Sequence, residues 1–89
     1  MTQLQQFILD NKLKFTKGQR NANLTILVGF SLYNKNTIEE IKDSIPTEYL
    51  GEILTKEMYQ EIERLYLYCN KNNYDHFWKT STAKAQYKF

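Results

Sequence analysis

Eighty-nine residues with a net charge of +2, 42% hydrophobic content and thirteen aromatic side chains (seven Tyr, five Phe, one Trp) describe one domain with one core. The apolar content suffices for a core without disulfides or metal, and the solitary Cys69 argues against a secreted, disulfide-stapled fold and for an intracellular, cytoplasmic address. Residues 1–10 have neither the basic start nor the continuous apolar run of a signal peptide, and no stretch is long enough to span a membrane.

The chain reads as an all-α, single-domain helical bundle of about four to five helices over residues 1–89. Thr2 is placed to cap a first helix in which Leu4, Phe7 and Ile8 recur at i, i+3 and i+4, ending near Asn11. Residues 11–20 follow as an irregular basic arm, with Lys12, Lys14, Lys17 and Arg20 and no acid. Gly18 turns the chain at its end. The most apolar segment, Leu24 to Tyr33, fits two patterns. Leu24, Leu27, Val28 and Ser31 make a helix stripe, whereas Leu24, Ile26, Val28, Phe30 and Leu32 alternate as a strand does. A helix is favoured because no partner strand exists elsewhere; a strand would make the fold α+β.

Thr37-Ile38-Glu39-Glu40 has the spacing of a capping box, and Pro46 should stop the helix that it opens, with Ile38, Ile41 and Ile45 as the apolar stripe. Residues 47–54 form a turn or a single helical turn around Tyr49 and Leu50. Thr55 is expected to cap the longest helix, whose inward side is Met58, Ile62, Leu65, Tyr66 and Cys69 and whose first turns carry Glu57 and Glu61. Asn70-Lys71-Asn72-Asn73 breaks it. A last amphipathic piece, residues 74–85, presents Phe77 and Trp78 beside Lys79 and Lys84, and residues 86–89 are expected to fray.

Charge is segregated along the chain. The arm is basic, and Lys71, Lys79, Lys84 and Lys88 outweigh Asp75 near the C-terminus. Between them, residues 38–63 hold eight acids against Lys42 and Lys56. If both ends fold to one side, the molecule has a basic face able to hold a nucleic-acid backbone by releasing counterions, and an acidic face opposite. The candidate nucleic-acid residues are Lys12, Lys14, Lys17, Arg20, Trp78, Lys79 and Lys84, with Trp78 stacking on a base. Each has a structural alternative: Arg20 pairing with Glu61 or Glu63, Asn21 capping a helix, Trp78 and Phe77 fastening the last segment to the core. The alternative binding surface is the acidic, tyrosine-rich face, with Glu39, Glu40, Asp43, Glu57, Glu61 and Tyr59 docking on a protein.

Catalysis finds no support. Adjacent Asp75 and His76 point in different directions on a helix, no serine sits in a nucleophile motif, and the glycines are isolated rather than grouped in a phosphate loop. Cys69 and His76 supply at most two ligands for zinc, so neither metal nor cofactor is expected.

Gly18-Gln19-Arg20-Asn21, then an apolar helix, a short acidic helix, and Leu54-Thr55-Lys56-Glu57 opening a long helix, is an order that resembles the PriCT family. That family comprises small helical domains on the C-terminal side of many phage and plasmid primases. In it a Gly-x-Arg-Asn element opens the first helix and an acidic helix follows a short loop, here Glu57 to Glu61-Ile62. The resemblance covers roughly residues 16–71 and rests on few fixed positions. It departs from the family in having no catalytic domain ahead of it, as an excised domain or a freestanding small protein would. What it implies is a non-catalytic accessory role in DNA replication, with single-stranded or primer-template DNA, primase or helicase as partner. The competing expectation is a small phage-type interaction or inhibitor protein that docks on a host enzyme.

Overall fold

The computed structural model describes residues 1–51 and 53–89. Thr2 caps α1 (Gln3–Asp10) through a reciprocal pair: its hydroxyl accepts from Gln5 N at 3.2 Å, and its own N–H donates to Gln5 Oε1 at 2.8 Å. Leu4, Phe7 and Ile8 face inward. The helix closes with Lys12 in the left-handed region (φ 53°), where Lys12 N–H donates to Leu9 O and Leu13 N–H to Ile8 O. That bonding pattern satisfies the last carbonyls and packs Leu13 beneath the helix end. The segment after it is therefore no free arm. Leu13 and Phe15 are buried in the core, while Lys12, Lys14 and Lys17 face out.

Residues 24–33 are helical, within α2 (Arg20–Tyr33). The strand alternative is excluded because Leu24, Leu27, Val28, Gly29, Phe30 and Ser31 are all buried, a spread that a central helix needs and a one-sided strand does not give. Neither Gln19, at the cap position, nor Asn21 supplies a side-chain cap; Asn21 already lies inside the first turn and is exposed. Gly18 has φ +92° with nothing near its missing side chain, so the turn requires the glycine for its backbone and not for space.

α3 (Ile38–Ser44) opens on the expected capping box, with Thr37 N–H to Glu40 Oε1 at 2.8 Å and Glu40 N–H to Thr37 Oγ1 at 3.1 Å. Ile45 is extended ahead of Pro46, which ends it. A short 3₁₀ helix (Thr47–Gly51) leads to α4 (Thr55–Lys71). Thr55 is the first helical residue of α4 and not its cap; Leu54 occupies the cap position and has no oxygen to offer. Met58, Ile62, Leu65 and Cys69 point inward as expected, with Tyr66 half-buried. Asn73, left-handed at φ 57°, follows the end of α4.

The last segment is two pieces where one was expected. A second 3₁₀ helix (Tyr74–Lys79) stops at extended Thr80, which caps α5 (Ser81–Gln86) by accepting from Ala83 N. The tail, expected to fray, is bonded to the end of α1. Asn11 Nδ2 donates to Lys88 O and Lys88 N–H donates to Asn11 Oδ1, both at 2.8 Å. Phe89 then sets its ring edge on Phe30, 5.4 Å between centroids.

α2 is the central element, with α4 along one side and the second 3₁₀ helix along another, while α3 bridges α1 and α4. Phe7 and Phe30 stack face to face, and Trp78 meets both edge-on at 5.6 and 5.4 Å. This aromatic cluster joins three chain-distant segments into one core, each ring burying an area that dominates local stability.

Candidate functional site

The expected basic face separates into parts with different fates. Lys12 and Lys14 are exposed and rim an apolar groove of about 430 Å³ between α1 and the first 3₁₀ helix. Its apolar lining is Met1, Ile8, Leu9, Leu13, Pro46 and Tyr49, with Glu48 the one acid among the described residues. Leu9 is 61% exposed there, an apolar side chain with no core duty. Asn23 holds this stretch in place by donating to Lys14 O at 2.6 Å. The clamp on Asn11 ties the backbone of Lys88 to the end of α1, although Lys88 does not line the groove.

Arg20 is placed differently. Its Nε donates to Phe15 O at 3.0 Å, which ties the helix start to the buried arm. It shares a cleft with Glu57, Glu61 and Arg64, where acids oppose a phosphate. Glu61 is gripped by Arg64, and Glu63 by Lys42 at 2.7 Å, so the two acids named as its partners are engaged elsewhere. Lys17 borders a neighbouring cleft with Arg20 and Glu57.

Trp78 cannot stack on a base as expected: it is 3% exposed and sits in the aromatic core. It also lies over Gly29, nine residues along α2 from Arg20, or about 14 Å of helix. Lys79 is ion-paired to Asp75 at 3.8 Å, and Lys84 is exposed in the last turn of α5. Neither lines the Lys12–Lys14 groove.

The acidic face is largely committed to holding the protein together. Glu40 closes the α3 cap, which lowers its carboxyl below the ordinary value by hydrogen bonds from Thr37 and Asn36. Lys42, with its side chain 13% exposed, reaches Glu63 and Glu39 and lies 5.3 Å from the Tyr59 ring centroid. Its ammonium is held above the ordinary value chiefly by the Glu63 hydrogen bond. Glu39, Asp43 and Glu57 remain exposed. Burial pushes the Cys69 thiol up to about 11, which makes it a poor nucleophile at neutral pH. Among the described residues no three His, Cys, Asp or Glu side chains gather as metal ligands, and no helix is long and apolar enough to cross a membrane.

A second groove, unforeseen from sequence, runs between α2 and the second 3₁₀ helix, lined by Ile26, Gly29, Tyr74, Phe77, Trp78 and Tyr87 among others. The one sequence signal for it is Gly29, a glycine inside an apolar helix, which often marks close approach. An added Cβ there would lie 2.9 Å from Trp78 Nε1. Leu9 and Pro46 are further site residues that spacing alone did not nominate. No protein-family profile, curated protein or solved structure matches this chain.

Proposed function

We propose that this chain is a non-catalytic protein-interaction module whose Lys12–Lys14 groove takes an acidic, amphipathic helical segment of a partner. The observation that carries this reading is the combination of an apolar floor with a basic rim: Leu9 exposed at 61% on the floor, Lys12 and Lys14 above it. An amphipathic helix laid in such a groove buries its apolar side, and its acids meet the lysines. The acidic face supports docking less well, because Glu40, Glu61, Glu63 and Tyr59 already serve internal contacts.

The second reading is nucleic-acid backbone binding in DNA replication, alongside a primase or helicase. It draws on the glycine-arginine-asparagine start of α2 and on the exposed Lys12 and Lys14. The apolar floor ranks it second, since a phosphate chain gains nothing from Leu9.

One experiment separates them. Fluorescence anisotropy with a labelled acidic amphipathic peptide and with a single-stranded oligonucleotide of equal charge should show the peptide binding more tightly. Leu9→Ser and the pair Lys12→Glu with Lys14→Glu should each weaken the peptide by about tenfold or more. DNA binding that falls steeply with salt, is lost with the lysine pair and ignores Leu9→Ser establishes the second reading instead. No binding of either probe at low salt removes both.

A further inference from the structure

We propose that the surface on which residues 87–89 lie is a recognition site for an extended aromatic-x-aromatic segment of a partner protein, and that the chain's own Tyr87-Lys88-Phe89 is its internal occupant. The site shares no residue with the Lys12–Lys14 groove and stands whether or not that reading holds.

The seat is built from one amide and a set of rings. Asn11 Nδ2 donates to Phe7 O at 3.0 Å, which fixes the side-chain amide against the end of α1. So oriented, the amide presents an N–H and an oxygen side by side, and Lys88 answers with its C=O and its N–H, both at 2.8 Å. The N–H and C=O of one residue point the same way in extended backbone, the arrangement by which one strand residue exchanges two bonds with another. Tyr87 is extended ahead of Lys88, at φ −121° and ψ 155°. Neighbouring side chains alternate along such a backbone, so Tyr87 and Phe89 fall on one side and Lys88 on the other. The rings comply. Between centroids, Tyr87 lies 4.9 Å from Trp78, and Phe89 lies 5.6 Å from Trp78, 5.4 Å from Phe30 and 6.0 Å from Tyr33. Lys88 is exposed.

This division sets what the surface reads. The two amide bonds go to backbone and ask nothing of the central side chain, whereas the flanking positions are chosen by aromatic contact. The cover is also of the kind that opens. Its two hydrogen bonds are exposed to water, Phe89 is 47% exposed, and the segment is joined to the rest of the chain through a helix of six residues. Segments with few buried contacts and solvent-exposed bonds open at the lowest cost in a fold. Opening uncovers the Asn11 amide and the rings of Phe30, Tyr33 and Trp78 together, and a segment of the same pattern from another protein refills the seat.

The chain has one tryptophan, whose ring touches both rings of the tail, so the indole N–H resonance of the ¹⁵N-labelled full chain reports the seat. The probe is the blocked peptide acetyl-Ala-Gln-Tyr-Lys-Phe-amide, which repeats residues 85–89. The control is acetyl-Ala-Gln-Tyr-Phe-Lys-amide, equal in charge and composition, with its rings on opposite sides of an extended backbone. The probe should shift the resonance saturably, and the control should not. Two substitutions that both loosen the tail should then act in opposite directions. Phe89→Ala weakens the internal competitor and should tighten the probe by about threefold or more. Asn11→Ala removes the receiving amide and should weaken the probe by about threefold or more. A tail with a merely structural role gives no such opposition. The proposal is overturned if the wild-type resonance stays still at millimolar probe, if the control moves it as far, or if Phe89→Ala binds no more tightly than wild type. A wild-type dimer in sedimentation that Phe89→Ala does not form would give the seat to the tail of a second copy and overturn a partner protein. Each variant is read only while its circular dichroism matches wild type, and the wild-type comparison of probe with control decides without them.

Discussion

At the residue scale, three helix ends are made by side chains that seldom adopt the left-handed conformation: Lys12, Lys35 and Asn73. Lys35 repeats the arrangement of Lys12, with Lys35 N–H to Leu32 O and Asn36 N–H to Ser31 O. Glycine is the usual residue at such a position because it carries no Cβ to crowd the carbonyl. Lys35→Gly should therefore raise stability by about 0.5–1 kcal/mol. A thermal melt should rise by about 2–8 °C. Gly29→Ala should act in the opposite direction. Its Cβ meets the rigid, buried Trp78 ring at 2.9 Å. The overpacking cost of about 1–3 kcal/mol exceeds the gain of up to ~1 kcal/mol in helix propensity, so the urea midpoint should fall. Cys69 carries a pH effect of definite sign. Its native thiol keeps its proton up to about 11 while an unfolded one loses it near the ordinary 9.0, so the unfolded chain is favoured progressively across that window. Stability of the wild type should fall with rising pH there more steeply than that of Cys69→Ala, measured by urea unfolding.

At the scale of elements, local chemistry explains most starts and stops. Thr2 and Thr37 each cap a helix through a reciprocal pair with a residue three positions on, and Pro46 ends α3. The chemistry is missing where the residue at the cap position makes no side-chain bond. Gln19 and Leu54 begin the two longest helices with no side-chain cap, so these helices are held by the burial of Leu24, Leu27 and Val28 on one and Met58 and Ile62 on the other. Tertiary burial of that extent, about 1.5–3 kcal/mol per large side chain, outweighs a missing cap of about 1 kcal/mol. The Asn11–Lys88 clamp is an element-scale device of another kind, since it ties the end of α1 to the C-terminal tail. Asn11→Ala removes both bonds to Lys88 and a third to Phe7 O. It should cost about 1–3 kcal/mol and release the tail to carboxypeptidase digestion, followed by mass spectrometry. Unchanged digestion would show that the ring contacts of Tyr87 and Phe89 hold the tail without the clamp.

For the whole molecule, the charge pattern of the sequence is real but does not sort into two plain faces. Lys12 and Lys14 line one groove, Lys79 is paired with Asp75, and Lys42 sits among the acids and binds α3 to α4. The pair Lys12→Glu with Lys14→Glu belongs to this scale. It should reverse the sign of the groove's rim and weaken binding of the acidic peptide by about tenfold or more while leaving the melting temperature nearly unchanged, because both side chains are exposed.

By itself the sequence determined the all-α class, the cap at Thr2, the capping box at Thr37, the stop at Pro46 and most inward residues of α1 and α4. Those features depend on spacing of 3.6 residues and on side chains within one turn of the backbone they bond. Only the tertiary structure decided that the basic arm is anchored by Leu13 and Phe15, that Trp78 is a core residue over Gly29, and that the tail is clamped to Asn11. It also formed both grooves. Each depends on residues far apart in the chain meeting across a core, and no local pattern encodes which distant ring or carbonyl a side chain will find.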